Sequence, residues 1–366
     1  MLDKEIVSIL DKLEQNGFKA YIVGGFVRDF LLKKESKDID IATSAKVKDL
    51  IEIFKEYNPI SEGYGSVAMS ISNYSFEITT FRKELSYKDN RFPDKIEYIT
   101  SLEEDLKRRD FTVNCICMDK NGNIIDFLNA KKDLQKRIIK SVSNPYIKLE
   151  EDALRIMRAI RFATILNFRI DEELKKAIIK NKELLRNLSY DRKKEELIKI
   201  FTSEHKKYGI KLLKDLKLID VLELKNIDTA LLTNDIIGIF ASVMASKNYP
   251  FTRNEKDLIK EINELMCEDL NDNYVLYKYG IYSLSIVCDL KRLNKKKIIE
   301  KYNKLPIKDR KEIKITSEEI CEILNKKPGA FLKEMYNNIE MLIIRNELNN
   351  EYEDIKTYIL SSTLVV

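Results

Sequence analysis

The chain has 366 residues, 44% of them hydrophobic, with 65 basic against 60 acidic side chains for a net charge of +5. That is enough apolar sequence for two or three packed domains, and its periodicity is too regular for a disordered chain. One His, His205, excludes multi-His metal centres such as those of zinc hydrolases and HD-type phosphohydrolases, and leaves carboxylates, Lys and Arg to carry any chemistry.

The chain begins without the basic-then-apolar pattern of a signal peptide; instead Ile6, Ile9, Leu10 and Leu13 fall on one helical face. Short β-branched or alternating stretches predict strands over residues 20–24, 38–43, 66–71, 75–81, 95–99 and 124–127. Helical patterns over 26–32, 47–57 and 102–107 separate some of them. Six of the ten Gly (17, 24, 25, 63, 65 and 122) lie before residue 150, so this part reads as a mixed α/β head. From residue 149 onward apolar residues recur every three or four, as in Leu154, Met157, Ile160 and Ile165. The fold class is therefore α+β: a mixed-sheet head followed by an all-α region, with helix stops near Asn187, Gly209, Pro250, Pro306 and Pro328. The longest weakly polar run, 236–246, is about half of the ~20 residues a membrane span needs, so no membrane span is expected. Five Cys with no CxxC pair read as reduced thiols of a cytoplasmic protein. Lys-rich stretches at 131–140, 291–297 and 308–314 read as solvated helix faces or as places that meet nucleic acid.

Chemistry concentrates in five segments. Gly24 and Gly25 end a strand and open a helix, a turn that either serves the chain path alone or lets backbone N–H groups approach an anion, with Arg28 one turn further in reach of a phosphate. Asp38 and Asp40, two apart on a strand, project to one side while Ile39 and Ile41 enter the core. Two adjacent carboxylates repel unless a cation separates them, and with divalent metal they suit phosphoryl or nucleotidyl transfer. Glu77, on an alternating strand, is either a third carboxylate for that group or a solvent-facing side chain. Arg108 and Arg109 offer planar paired donors to phosphate oxygens, and Asp110 or Asn114 could take a ribose hydroxyl. Finally Asp152, Arg155, Arg158 and Arg161 step by three along one slowly drifting helical stripe. That stripe is a salt-bridge ladder, or a carboxylate and guanidinium matched to the edges of bases.

In this order and spacing, GGFVRDFLL, DIDIAT, the Glu77 strand, RRDFTVN and EDALRIMRAIRF resemble the class II tRNA nucleotidyltransferase and bacterial poly(A) polymerase family, within the polymerase-β-like nucleotidyltransferases. The likeness covers roughly residues 18–200. It implies a catalytic head over 1–145, a helical neck that recognises the base over 146–205, and a helical body and tail over 206–366 that bind the acceptor and T arm of tRNA. It implies Mg²⁺ held by Asp38 and Asp40, with Glu77 as a third catalytic carboxylate. Gly24, Gly25 and Arg28 are then triphosphate contacts, Arg109 and Asn114 nucleotide contacts, and Asp110 a ribose contact. Asp152 and Arg155 pair with CTP and then ATP, and Arg158 and Arg161 make further nucleotide or phosphate contacts.

Residues 82–97 resemble the family's flexible loop, linked to the switch from C to A addition. Residues 189–197 resemble a later family segment, with Asp191 in place of Glu and Lys193 in place of an apolar residue. The resemblance carries no HD phosphohydrolase domain, and His205 reads as a surface or capping residue. The function it implies is template-independent addition of CCA to the tRNA 3′ end from CTP and ATP with release of pyrophosphate. The rivals are an A-adding tRNA nucleotidyltransferase, a poly(A) polymerase, and a catalytically silent RNA-binding protein.

Overall fold

A computed structural model describes residues 2–63, 65–88 and 92–362. It divides into two compact units, Met1–Leu224 and Lys225–Val366.

The first unit opens with helix α1 (Lys4–Gln15), whose Ile6, Ile9, Leu10 and Leu13 are all buried, as their spacing predicts. A seven-stranded sheet follows, built from β1 (Ala20–Val23), β2 (Asp38–Thr43), β3 (Ile60–Gly63), β4 (Ser66–Ile71) and β5 (Tyr74–Thr80), with the short β8 (Cys117–Met118) and β9 (Ile124–Ile125) at the far edge. Its order is β3-β4-β5-β2-β1-β8-β9. Among the described strands of this sheet only β2 and β5 pair in parallel, and this central pair sets Asp40 directly beside Glu77. The alternation on both strands puts Ile39, Ile41, Phe76 and Ile78 into the core and turns Asp38, Asp40 and Glu77 to the other face. Helices α2 (Gly25–Leu31) and α3 (Val47–Ile53) lie between the strands. The expected helix over 47–57 is divided: α3 ends at Ile53, and a 3₁₀ turn, Lys55–Tyr57, closes on Asn58 in the left-handed region.

Within residues 82–97, which resemble the family's flexible loop, β6 (Arg82–Lys88) pairs antiparallel with β7 (Phe92–Tyr98); residues 89–91 lie outside the described residues. Alternation there is blurred by two register shifts, which is why β6 carries no clean sequence signal. Next come α4 (Leu102–Lys107), α5 (Ala130–Gln135) and the two-residue β10 (Ile138–Ile139). Helices α6 (Pro145–Glu151), α7 (Leu154–Leu166), α8 (Glu172–Asn181), α9 (Tyr190–Phe201) and α10 (Lys206–Asp215) complete the unit. One departure from the all-helical reading is β11 (Arg169–Ile170), which pairs with β10. Gly209, expected to stop a helix, sits inside α10. A Cβ there would stand 2.6 Å from Thr164 Oγ1 and 2.7 Å from Ile200 Cγ2, so its role is close packing against α7 and α9.

The second unit is helical: α11 (Ile236–Ser242), α12 (Arg253–Leu265), α13 (Asn273–Lys291), α14 (Lys295–Asn303), α15 (Ser317–Leu324), α16 (Phe331–Ile344) and α17 (Tyr352–Ser362). It holds two apolar clusters, one around Ile262, Leu276 and Val287 and one around Ile320, Ile343 and Ile355, with Tyr277 packed against both. Glu340 accepts from Tyr277 and Arg310 across the same seam. Among the described residues no helix is long and apolar enough to cross a membrane.

Candidate active site

A cleft of about 530 Å³ opens in the first unit, lined by β1–α2, β2, the base of the β6–β7 hairpin, the α4 terminus and α7. Its two ends differ in charge.

At one end lie the carboxylates. Asp38 is exposed, Asp40 is half-buried, and exposed Glu77 stands beside Asp40 in register. Burial, together with the charges of Glu77 and Asp38, pushes the Asp40 carboxyl above the usual range, against the pull of Arg109 and a hydrogen bond from the Gly25 N–H. Gly24 makes this closeness possible. Its φ of 72° and ψ of −136° suit glycine alone, and a Cβ there would stand 2.6 Å from Asp40 Oδ2. The Gly25 amide therefore serves Asp40, a partner the sequence reading did not assign it. Only Asp40 of the three carboxylates lines the cleft itself; Asp38 and Glu77 flank it on the strand face. Among the described residues no three His, Cys, Asp or Glu side chains are grouped to hold a metal by themselves. Mg²⁺ characteristically takes one or two carboxylates and completes its shell with substrate phosphates and water, so the Asp38–Asp40 pair fits it.

At the other end lie the arginines, each held by an acid or carbonyl of the protein. Arg28 is buried; its Nε and Nη2 each donate to Asp29 at 2.8 Å, and its Nη1 to Asn114 Oδ1 at 2.7 Å. Asn114 passes the connection to Asp110 Oδ1 at 3.2 Å. Asp110 Oδ2 accepts from Arg158 Nε at 2.7 Å and Nη2 at 2.6 Å. Although burial opposes ionisation, Arg158, Asn114 and the Phe111 N–H bring the Asp110 carboxyl down to about 2. Asp110 is thus already well supplied with donors, so a ribose hydroxyl would compete with Arg158 for it. Arg155 Nη1 donates to Lys148 O at 2.9 Å and Glu151 Oε2 at 2.8 Å, and Nη2 to Arg108 O at 3.1 Å.

The predicted helical stripe needs correction at both ends. Asp152 is not helical: it is extended (φ −145°, ψ 103°) in the break between α6 and α7, where its carboxylate accepts from the Leu154 N–H at 3.0 Å. Burial raises its carboxyl, opposed by Arg155. Arg161 leaves the cleft lining, because a strict three-residue step rotates steadily away from a face; six residues from Arg155 places it about 120° round the helix. It pairs instead with buried Glu196 on α9 at 3.2 Å. The cleft-lining positions of α7 are Arg155, Arg158 and Phe162.

Four contributors escaped the sequence reading. Asp105 is fully buried and accepts from Arg108 Nε at 2.8 Å, Arg109 Nη2 at 3.4 Å and the Arg82 N–H at 3.1 Å. Its signal was available: it lies three residues after Leu102 and one before Leu106, an acid in the apolar phase of its helix. Glu84 binds Arg82 at 3.2 Å and Arg108 at 3.5 Å, tying the hairpin to the cleft wall. Phe162 and Glu196 looked like ordinary helix residues.

Three family models match in succession: the poly(A) polymerase head domain over residues 20–140, the "Probable RNA and SrmB-binding site of polymerase A" over 167–228, and tRNA nucleotidyltransferase domain 2 over 247–359. The chain is 33% identical to a CCA-adding enzyme of Ligilactobacillus salivarius over 96% of its own length and 94% of that protein's. It belongs to the CCA-adding enzyme family. A second family member, from Bacillus cereus, is 33% identical over 99% of both chains. The CCA-adding enzyme of Bacillus stearothermophilus, solved in complex with CTP, superposes with a TM-score of 0.85 at 27% identity, covering 99% of this chain and 98% of that one. The family's fold extends to the Thermotoga maritima CCA-adding enzyme complexed with tRNA, at a TM-score of 0.72 and 21% identity. The polymerase-β-like head with a helical C-terminal region, expected from five short segments, is the fold of this family.

Proposed function

We propose that the chain adds CCA to the 3′ end of tRNA from CTP and ATP without a nucleic-acid template. The observation that carries this reading is a single cleft with the Asp38–Asp40 edge at one end and Asp152 and Arg155, at a helix break, at the other. The tRNA 3′-hydroxyl attacks the α-phosphate of the nucleotide, and pyrophosphate leaves. Asp38 and Asp40 would hold Mg²⁺, which when bound neutralises charge on the attacking oxygen and the phosphates. Everything else falls to side chains. Arg28, Arg109 and Arg158 take phosphate oxygens, which need positioning and charge stabilisation rather than a His base. Arg155, fixed by two carbonyls and Glu151, presents a rigid guanidinium beside the Asp152 carboxylate, a donor–acceptor pair that matches the Watson–Crick edges of C and A.

The acceptor and T arm of tRNA fall to the Lys-rich helical region after residue 205, whose second unit the tRNA nucleotidyltransferase domain 2 model matches. The five free cysteines fit the reducing cytoplasm. The test is to incubate purified protein with Mg²⁺, CTP and ATP and tRNA ending at the discriminator base, at CC or at CCA. The reading expects three added nucleotides, one, and none. Growth from the CC end alone would leave an A-adding enzyme, long A tails a poly(A) polymerase, and no incorporation an RNA-binding protein.

A further inference from the structure

Phe162 has an unusual surrounding for a helix phenylalanine. Its half-buried ring lines the cleft, and three guanidinium carbons lie near its centroid: Arg161 at 4.3 Å, Arg158 at 5.4 Å and Arg28 at 5.5 Å. Arg158 and Arg161 come from α7 itself, whereas Arg28 comes from α2, so the ring joins two separate elements. Buried Phe111 meets it edge-on, with centroids 6.0 Å apart and planes at 79°, which fixes the ring's orientation. Each arginine has one acidic partner: Asp29 for Arg28, Asp110 for Arg158, Glu196 for Arg161. Asn114 and Asp110 join Arg28 to Arg158, but the acids lie on different elements and no one of them can hold all three guanidiniums together. The negative face of an aromatic ring can, because it attracts cations within about 6 Å and asks for no particular donor geometry.

We propose that Phe162 is a positioning residue, whose ring gathers Arg28, Arg158 and Arg161 into one anion-binding wall and thereby sets affinity for the triphosphate part of the incoming nucleotide. This rests on the nucleotidyl-transfer reading of the cleft. The ring acts through the guanidiniums, so its effect is the same for CTP and ATP and persists for a phosphate chain with no base. Arg161 is the backing charge of the wall: it touches the ring most closely, and Arg28 and Arg158 face the cleft in front of it.

The experiment uses the full chain and compares Phe162→Leu, which keeps apolar bulk, with Phe162→Tyr, which keeps the π face. Binding of inorganic tripolyphosphate is measured by calorimetry, and kcat and KM are measured for CTP on tRNA ending at the discriminator base and for ATP on tRNA ending at CC. Phe162→Leu is expected to weaken tripolyphosphate binding and raise both KM values by about ten-fold, with kcat within about two-fold. Phe162→Tyr is expected to restore all three to within about three-fold. Normal tripolyphosphate binding by Phe162→Leu, with KM raised for nucleotides alone, would mean that the ring meets the base, and would overturn the proposal. So would a Tyr variant as impaired as Leu. If Phe162→Leu shows no cooperative thermal unfolding, Phe162→Met takes its place under the same criteria. A wild-type chain that binds tripolyphosphate through Phe162 yet adds no nucleotide to tRNA would refute the functional reading and leave this inference standing.

Discussion

The two ends of the cleft are built on opposite principles. The acidic end sets Asp38, Asp40 and Glu77 on one face of two paired strands, and Asp40 ionises less readily than an ordinary carboxylate. The basic end is neutralised within the protein: every arginine of the wall has an acid or carbonyl within hydrogen-bonding reach, and Asp110 ionises far more readily than usual. One end therefore requires a partner to complete it, and the other is complete before substrate arrives. The difference suggests a division of labour, with chemistry at the strand edge and recognition on the arginine wall.

Four variants can break or sharpen this contrast. The largest effect is expected at the acidic end: Asp40→Ala should lower single-turnover incorporation by at least ~10³-fold while tRNA affinity, read by filter binding, is unchanged. Gly24→Ala comes next. Its Cβ would occupy the space of Asp40 Oδ2, and the backbone would be forced from a glycine conformation. A shift of Asp40 by even ~1 Å should cost about 10²-fold in kcat, and the strain ~1–3 kcal/mol in denaturant unfolding. At the basic end, Asp110→Asn should destabilise the fold by ~2 kcal/mol at pH 7. The folded carboxyl lies at about 2 against an ordinary 3.8, so its contribution is present above about pH 4 and is lost as pH falls toward 2. The gap between wild type and variant in urea unfolding should close over that window. The smallest effect belongs to His205, which begins α10 without a side-chain capping bond. His205→Ala should change stability by less than ~0.5 kcal/mol and leave incorporation as it was.

The acidic end was readable from the sequence because its geometry is local. A strand repeats every two residues, so Asp38 and Asp40 had to share a face once Ile39 and Ile41 were buried. The arginine wall was readable only in part. Arg28, Arg109, Asp110, Asn114, Arg155 and Arg158 all line the cleft, but the bonds joining them cross as many as 86 positions of sequence. Such pairings leave no periodic trace. Asp152 was misplaced on a helix because one extended residue between two helices does not disturb an apolar repeat. Arg161 was misplaced because three-residue steps look like a stripe although they circle the helix. Phe162 was hidden by its type, since an aromatic residue at helical spacing reads as core. In the second unit, apolar periodicity signalled helices but gave no sign that two separate clusters form.

The division of labour is tested most directly by nucleotide affinity without turnover. CTP binding is measured by calorimetry, in the absence of metal ions, for Asp40→Ala and Arg158→Ala beside the wild type. Asp40→Ala should bind CTP at least as tightly as wild type, because it removes a repelling carboxylate, whereas Arg158→Ala should bind about ten-fold more weakly. An Asp40→Ala chain that loses as much affinity as Arg158→Ala would contradict the account.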